Sequence, residues 1–366
     1  MDPLVQMVER SDLEGVRGQM RSALTGNGQA WATHLSLFPV VQRVLNPPFI
    51  NPHLPKMYRI IQEFIPYLES DDIPPLVRLE INEYTRRPKS TGVARTPGQY
   101  LNVSFDRIEA AIRAGEKETA ATLMQAFLEQ KGREELARRL LLLGSGYLEK
   151  SLGHSISCTA FILLEMLERR DQDPWPVLGT LADYFCRGHF GSTPEMRKTS
   201  ALPIKEELER HLLRATSGDG IVNLHHTITR YAVERVRHLV SEAEYAHMIV
   251  CWVEFLGDKK DETPDAVPAS EPISQYDSFY RVFSKREEGP VLTALTDLLS
   301  SEKGRKQAGR FLIKGICDLY QGDYNPHHLT GLGSALWVAE RYHGSPAIVT
   351  NALRQYLNYY FMSMGT

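Results

Sequence analysis

Apolar residues in this chain recur three and four positions apart along nearly its whole length, and no convincing run alternates every second residue between turn signals. That pattern confines the fold to packed helices. A period near 3.6 gathers apolar side chains on one face of a helix, whereas a half-buried strand needs a period of two. Residues 104–129 carry Ile108, Ala111 and Ile112, then Ala121, Leu123, Phe127 and Leu128, with Gly115 in the turn between two helices. Residues 134–147, 158–170, 203–214, 231–256, 291–299, 306–320, 332–342 and 349–362 repeat the pattern, with Pro203 suited to a first helical position. The expected fold class is all-α, a single multi-helix array over 1–366 that exceeds a four-helix bundle and has a histidine-lined central pocket. Two stretches read as loops: 86–99, with Pro88, Gly92, Pro97 and Gly98, and a polar insertion at about 257–277, read as a mobile surface segment.

Charge narrows the partners. The 42 Lys and Arg residues are balanced by 45 Asp and Glu, a formal net charge of -3, which gives no basic footprint for nucleic acid or a membrane surface. No uninterrupted apolar stretch reaches the length of a membrane span. Met1, Asp2, Pro3 and the acidic residues Glu9, Asp12 and Glu14 do not make a signal peptide, so the expected compartment is the cytoplasm. Cys158, Cys186, Cys251 and Cys317 are scattered without a CxxC pair and read as buried free thiols. Phosphate-binding glycine loops, HExxH and GxSxG are all absent. With no dinucleotide fingerprint, the part of NADPH stays open.

Histidine is the residue type left to carry chemistry. Of twelve, four stations stand near probable helix starts, each behind a breaker: His53 after Pro52, His154 after Gly153, His225 and His226 after Gly218 and Gly220, and His327 and His328 after Pro326. Neutral imidazole is the commonest metal ligand, and rings converging from several helices suit iron, zinc or copper. The candidate ligands are His53, His154, His226 and His327, with His225 and His328 as alternates. Asn51, Thr159, Thr229 and Thr330 are the neighbours that would orient the rings. A single histidine on an apolar helix is more often a hydrogen-bonded core residue, so the set carries the reading and no one member does. Glu244 with His247 and Glu340 with His343 have the Glu-x-x-His spacing of diiron bundles, a frequency close to chance.

Taken in order, the stations resemble the questin oxidase-like family. The resembling segments are Asn51 with His53, Leu54 and Pro55; Gly153 to Phe161 around His154; Leu224 to Thr229; and Asn325 to Thr330, followed by Tyr342 to Pro346. They span about residues 50 to 355. The family pattern at the first segment ends in methionine, where this chain has Lys56. The resemblance implies an all-helical oxidoreductase, a non-heme Fe(II) mono- or dioxygenase that takes O2 and an aromatic polyketide, quinone or phenol, as a monomer or homodimer. It places the ligands at His53, His154, His226 or His225, and His327 or His328. The family also carries a lysine shortly after its last histidine. Here Leu329, Thr330 and Gly331 follow, and no lysine comes after them. That departure keeps two other readings in play: another divalent metal acting as a Lewis acid in a lyase, cyclase or hydrolase, and a helical binding protein without catalysis.

Overall fold

A computed structural model of the chain describes residues 2–364 apart from 25, 97–100, 197–204, 266, 268–272 and 323. The described residues form twenty α-helices and no strand; their only extended pairings are isolated bridges from Val44 to Lys89 and from Asn46 to Phe49. No helix among them is long and apolar enough to cross a membrane. One set of mutually packed apolar side chains runs from Leu4 to Met364.

Three short helices precede the region of strong periodicity: Pro3–Glu9, Leu13–Ala23 and Asn27–Ser36. Asp2 and Asp12 start the first two, each accepting a backbone N–H of the first turn, at 2.8 Å from Leu4 and 2.9 Å from Gly15. Residues 231–256, which read as one helix, are two. Ile221–Arg235 ends, Arg237–Leu239 makes a 3-10 turn, and Glu242–Leu256 starts at a capping box in which Ser241 and Glu244 exchange side-chain and backbone hydrogen bonds. Apolar spacing runs through this break because both helices bury residues beside it. The helix expected from 203 begins, in the described part, at Lys205; Pro203 lies outside the described residues. Of the loop 86–99, residues 97–99 lie outside them as well.

The polar insertion ends where the helix Tyr276–Phe283 begins. Its first part is tied to the helices beside it. Arg214 Nε donates to the Lys259 carbonyl at 2.7 Å, Ser217 Oγ accepts the Glu262 N–H at 3.0 Å, and Asn351 Nδ2 donates to the Glu262 carbonyl at 2.8 Å.

What positions the site is a ring of four helices: His53–Phe64, His154–Glu168, Ile221–Arg235 and His327–Arg341. The first packs on the second, the second on the third, the third on the fourth, and the fourth returns to the first. The C-terminal helix Pro346–Ser363 lies against the last two, and Arg133–Ser145 backs the second. Close approach within the ring depends on glycine. Gly153, with φ +74°, holds the left-handed turn before His154, and a Cβ there would stand 2.0 Å from Thr229 Oγ1 on the facing helix.

Candidate metal centre

Three helices of the ring bring histidines together, and the fourth brings His225 beside His154. His53, His154 and His327 are the first residues of their helices, and His225 is the fifth of its own. All four rings are buried. Ligand atoms of His53, His154 and His327 lie within 4.8 Å of one another. The His53 and His154 Nε2 atoms are 2.8 Å apart, and those of His225 and His154 are 3.1 Å apart. Ring centroids of His327 lie 4.9 Å from His53 and 4.7 Å from His225. Two nitrogens held by one ion at roughly 2.0–2.1 Å stand about 3–3.4 Å apart, so this spacing fits a shared ion.

Proton bookkeeping gives the stronger argument. His154 Nδ1 is 2.8 Å from the Ser151 carbonyl, and His225 Nδ1 is 2.6 Å from the Ile221 carbonyl. A carbonyl oxygen only accepts, so both Nδ1 atoms carry hydrogen. In neutral rings both Nε2 atoms are then bare lone pairs, yet they face each other at 3.1 Å. Lone pairs so placed repel unless a cation lies between them. A proton is a poor candidate. Burial pushes His225 down to about 3, and it holds His53, His154 and His327 well below the ordinary histidine range. A metal ion meets the requirement with all four imidazoles neutral.

The His327 ring is set the same way. Asn325 Oδ1 accepts the His327 backbone N–H at 3.0 Å and faces His327 Nδ1 at 2.9 Å, which leaves His327 Nε2 bare and without a protein partner. The Asn51 carbonyl accepts the His53 backbone N–H at 2.8 Å, and the Asn46 amide nitrogen lies 3.5 Å from His53 Nδ1. Arg87 donates to Asn46 Oδ1 at 2.6 Å and so fixes which end of that amide faces the histidine. Among the described residues, the side chains close enough to share one ion include no carboxylate.

One further polar group sits beside the rings. Lys56 is fully buried, its Nζ has no hydrogen-bond partner, and it acts electrostatically on all four histidines. Burial pulls its amine below the usual lysine value. Its only sequence signal was a lysine inside the apolar face of a helix that starts with a candidate ligand.

Several expected residues fall elsewhere. The structure brings His225, not His226, to the cluster. His226 meets the edge of Phe255 with centroids 4.7 Å apart. His328 turns to Ser363 Oγ at 2.7 Å, and the edge of its ring meets Tyr360. The threonines do not orient the rings: Thr229 and Thr330 donate to the carbonyls of His225 and Pro326 in their own helices, and Thr159 Oγ1 has no partner. Asn51 meets His53 through its backbone carbonyl, which accepts the His53 backbone N–H at 2.8 Å. The Glu-x-x-His pairs stay apart from the site, with Glu244 in a helix cap and His343 at an exposed helix end. Three cysteines are buried free thiols, and Cys317 is partly exposed.

No protein-family model matches the chain, no curated protein matches its sequence, and no solved structure matches its fold.

Proposed function

We propose that this protein is a non-heme metal-dependent oxygenase, with iron as the metal, acting on a phenol or quinone of the aromatic polyketide kind. The observation that carries the metal is the pair of bare Nε2 atoms of His154 and His225 at 3.1 Å. The substrate class comes from the likeness of the four histidine segments to the questin oxidase-like family. His53, His154, His225 and His327 would hold the ion, which when bound supplies O2 activation for oxygen insertion or C–C cleavage.

The chain's own groups determine what else binds there. Four neutral imidazoles bring no negative charge, so the centre favours an anionic oxygen such as a phenolate. Three helix N-termini meet at the site and favour the same sign. Lys56, buried, unpartnered and with its amine pulled below the usual lysine value, is placed to take the proton of a phenol. Burial of the rings keeps bulk water from the centre.

Metal analysis of freshly purified protein tests the reading. About one iron per chain, lost in His154→Ala, is expected, together with O2 uptake on adding a hydroxyanthraquinone. Runs with and without NADPH decide whether an external reductant is needed. Another divalent metal at that stoichiometry without O2 uptake would replace oxygenation by Lewis-acid chemistry. Protein that stays metal-free after anaerobic iron loading overturns the proposal.

A further inference from the structure

The helix Ile73–Arg86 turns one face to the core, where Val77, Glu80, Ile81 and Tyr84 are buried, and the other outward. Along the outward face stand Arg78, Asn82 and Arg86, each four residues after the last, so they form one stripe. The stripe is about 12 Å long at a helical rise of about 1.5 Å per residue. It does not lie on open surface. With Arg17 of the helix Leu13–Ala23 and the turn at Tyr320, Gln321 and Gly322, it walls a cavity of about 390 Å³.

Three guanidinium groups therefore face one hollow, and the carboxylates of the neighbourhood are engaged elsewhere. Glu83, on the buried side, accepts from Arg87 at 3.1 Å and from the Tyr320 hydroxyl at 2.6 Å. Asp72 is held by Arg310 at 2.6 Å and Lys314 at 2.9 Å. Among the described residues, Asp318 is the one carboxylate on the cavity wall, and it accepts the Tyr276 hydroxyl at 2.5 Å. The Arg17 and Arg78 side chains make no ion pair or hydrogen bond with any described residue. Three arginines against one carboxylate leave a formal excess of two positive charges. A cleft lined by one sign of charge concentrates ions of the other.

The third arginine is already set. Arg86 Nη1 donates to the Gly322 carbonyl at 2.6 Å, and Gly322 has φ +98°. A Cβ there would stand 1.9 Å from Arg86 Nη1, so only glycine lets the guanidinium lie on this turn. That bond uses one N–H and leaves the other guanidinium donors for a ligand. Planar guanidinium forks match the oxygens of a carboxylate or phosphate two at a time. Asn82 and Gln321 add amide donors to the same wall. A single phosphate would not span the stripe, whereas the volume has room for a small organic molecule charged at both ends.

We propose that this cavity binds a compact organic polyanion, bearing two or more phosphate or carboxylate groups that pair with Arg17, Arg78 and Arg86. The site is separate from the histidine centre: Arg87, next in sequence to Arg86, points instead to Asn46 beside His53. It stands without the oxygenase reading.

The test is calorimetric titration of purified full-length protein with a sugar bisphosphate, with citrate and with a neutral sugar alcohol of similar size. At least one of the two anions should bind, the tighter one naming the anionic group, and the sugar alcohol should not. Arg17→Gln and Arg78→Gln should each weaken that binding roughly tenfold or more. The melting temperature of both should stay that of wild type, since neither side chain holds a partner in the fold. Arg78→Lys should recover only part of the loss, because an ammonium keeps the charge without the fork. Lys131→Gln, which removes one charge from the exposed end of the helix Lys117–Lys131, should bind as wild type does. His154→Ala, which removes a candidate metal ligand, should do so too. Failure of both anions to bind overturns the proposal. So does equal affinity in wild type and both arginine variants, or a matching loss in Lys131→Gln, which would leave only net charge at work. Binding lost in His154→Ala would move the anion to the histidine centre and overturn it as well.

Discussion

Positions 225 and 226 offer adjacent imidazoles, and a helix turns neighbours about 100° apart, so one ring enters the cluster while the other faces Phe255. Apolar phase could not choose between them, because Leu224 to Val233 are all buried. His225→Ala should abolish metal binding, whereas His226→Ala should keep about one ion per chain; the reverse pattern in metal analysis would sink the assignment. Lys56 belongs to the same scale. Its folded value lies below 10.5, so below that pH the unfolded chain binds a proton that the native state excludes, and stability is lost. Lys56→Met should therefore raise unfolding free energy at neutral pH by about 1–3 kcal/mol, with the gain shrinking as pH approaches 10.5, while turnover falls. Denaturant titrations at two pH values, paired with O2 uptake, check both halves. The histidines titrate with a related sign. His225 is held at about 3 against an ordinary 6.5, so as pH falls below 6.5 the unfolded state gains a proton the native ring refuses. Metal-free protein should weaken progressively over that window, by up to roughly 1.4 kcal/mol per pH unit for each such ring. Urea midpoints that stay flat from neutral pH to mild acid would refute it.

Among the elements, the helix pair carrying His154 and His225 is the most exacting. Gly153 adopts a left-handed conformation, and its missing Cβ leaves room for Thr229 Oγ1. Gly153→Ala adds backbone strain and a clash at the point where these helices must meet. A loss of about 2–4 kcal/mol and weaker metal retention are expected, read by denaturation and metal analysis. Unchanged stability would mean that the helices part at little cost. Helix existence was legible along most long amphipathic stripes, but Ile73–Arg86 and Trp175–Gly188, each with a proline in its first turn, were not among those read. Short helices held by caps, such as Leu13–Ala23, were missed, as was the capping box at Ser241 that splits 231–256. Caps depend on one or two hydrogen bonds and leave little trace in periodicity.

Across the whole molecule, the centre joins residues more than 270 positions apart, His53 and His327, through a closed ring of helices. An ion bound only by the native state stabilises it by mass action, about 2.7 kcal/mol at a free concentration one hundred times Kd. Chelation should lower the melting temperature of wild type reversibly and leave His154→Ala unaffected. A melting temperature indifferent to chelator in wild type would separate the site from the fold.

Sequence alone determined the all-helical class, since periodicity is a local consequence of which side chains can share a helix face. It also located the four stations, because histidines behind glycine or proline mark helix starts. Tertiary packing decided which imidazole of each pair points inward, that carbonyls and Asn325 set the tautomers in place of the threonines, and that Lys56 is enclosed beside the rings. Those outcomes depend on helix rotation and on neighbours far away in the chain, to which local spacing is blind.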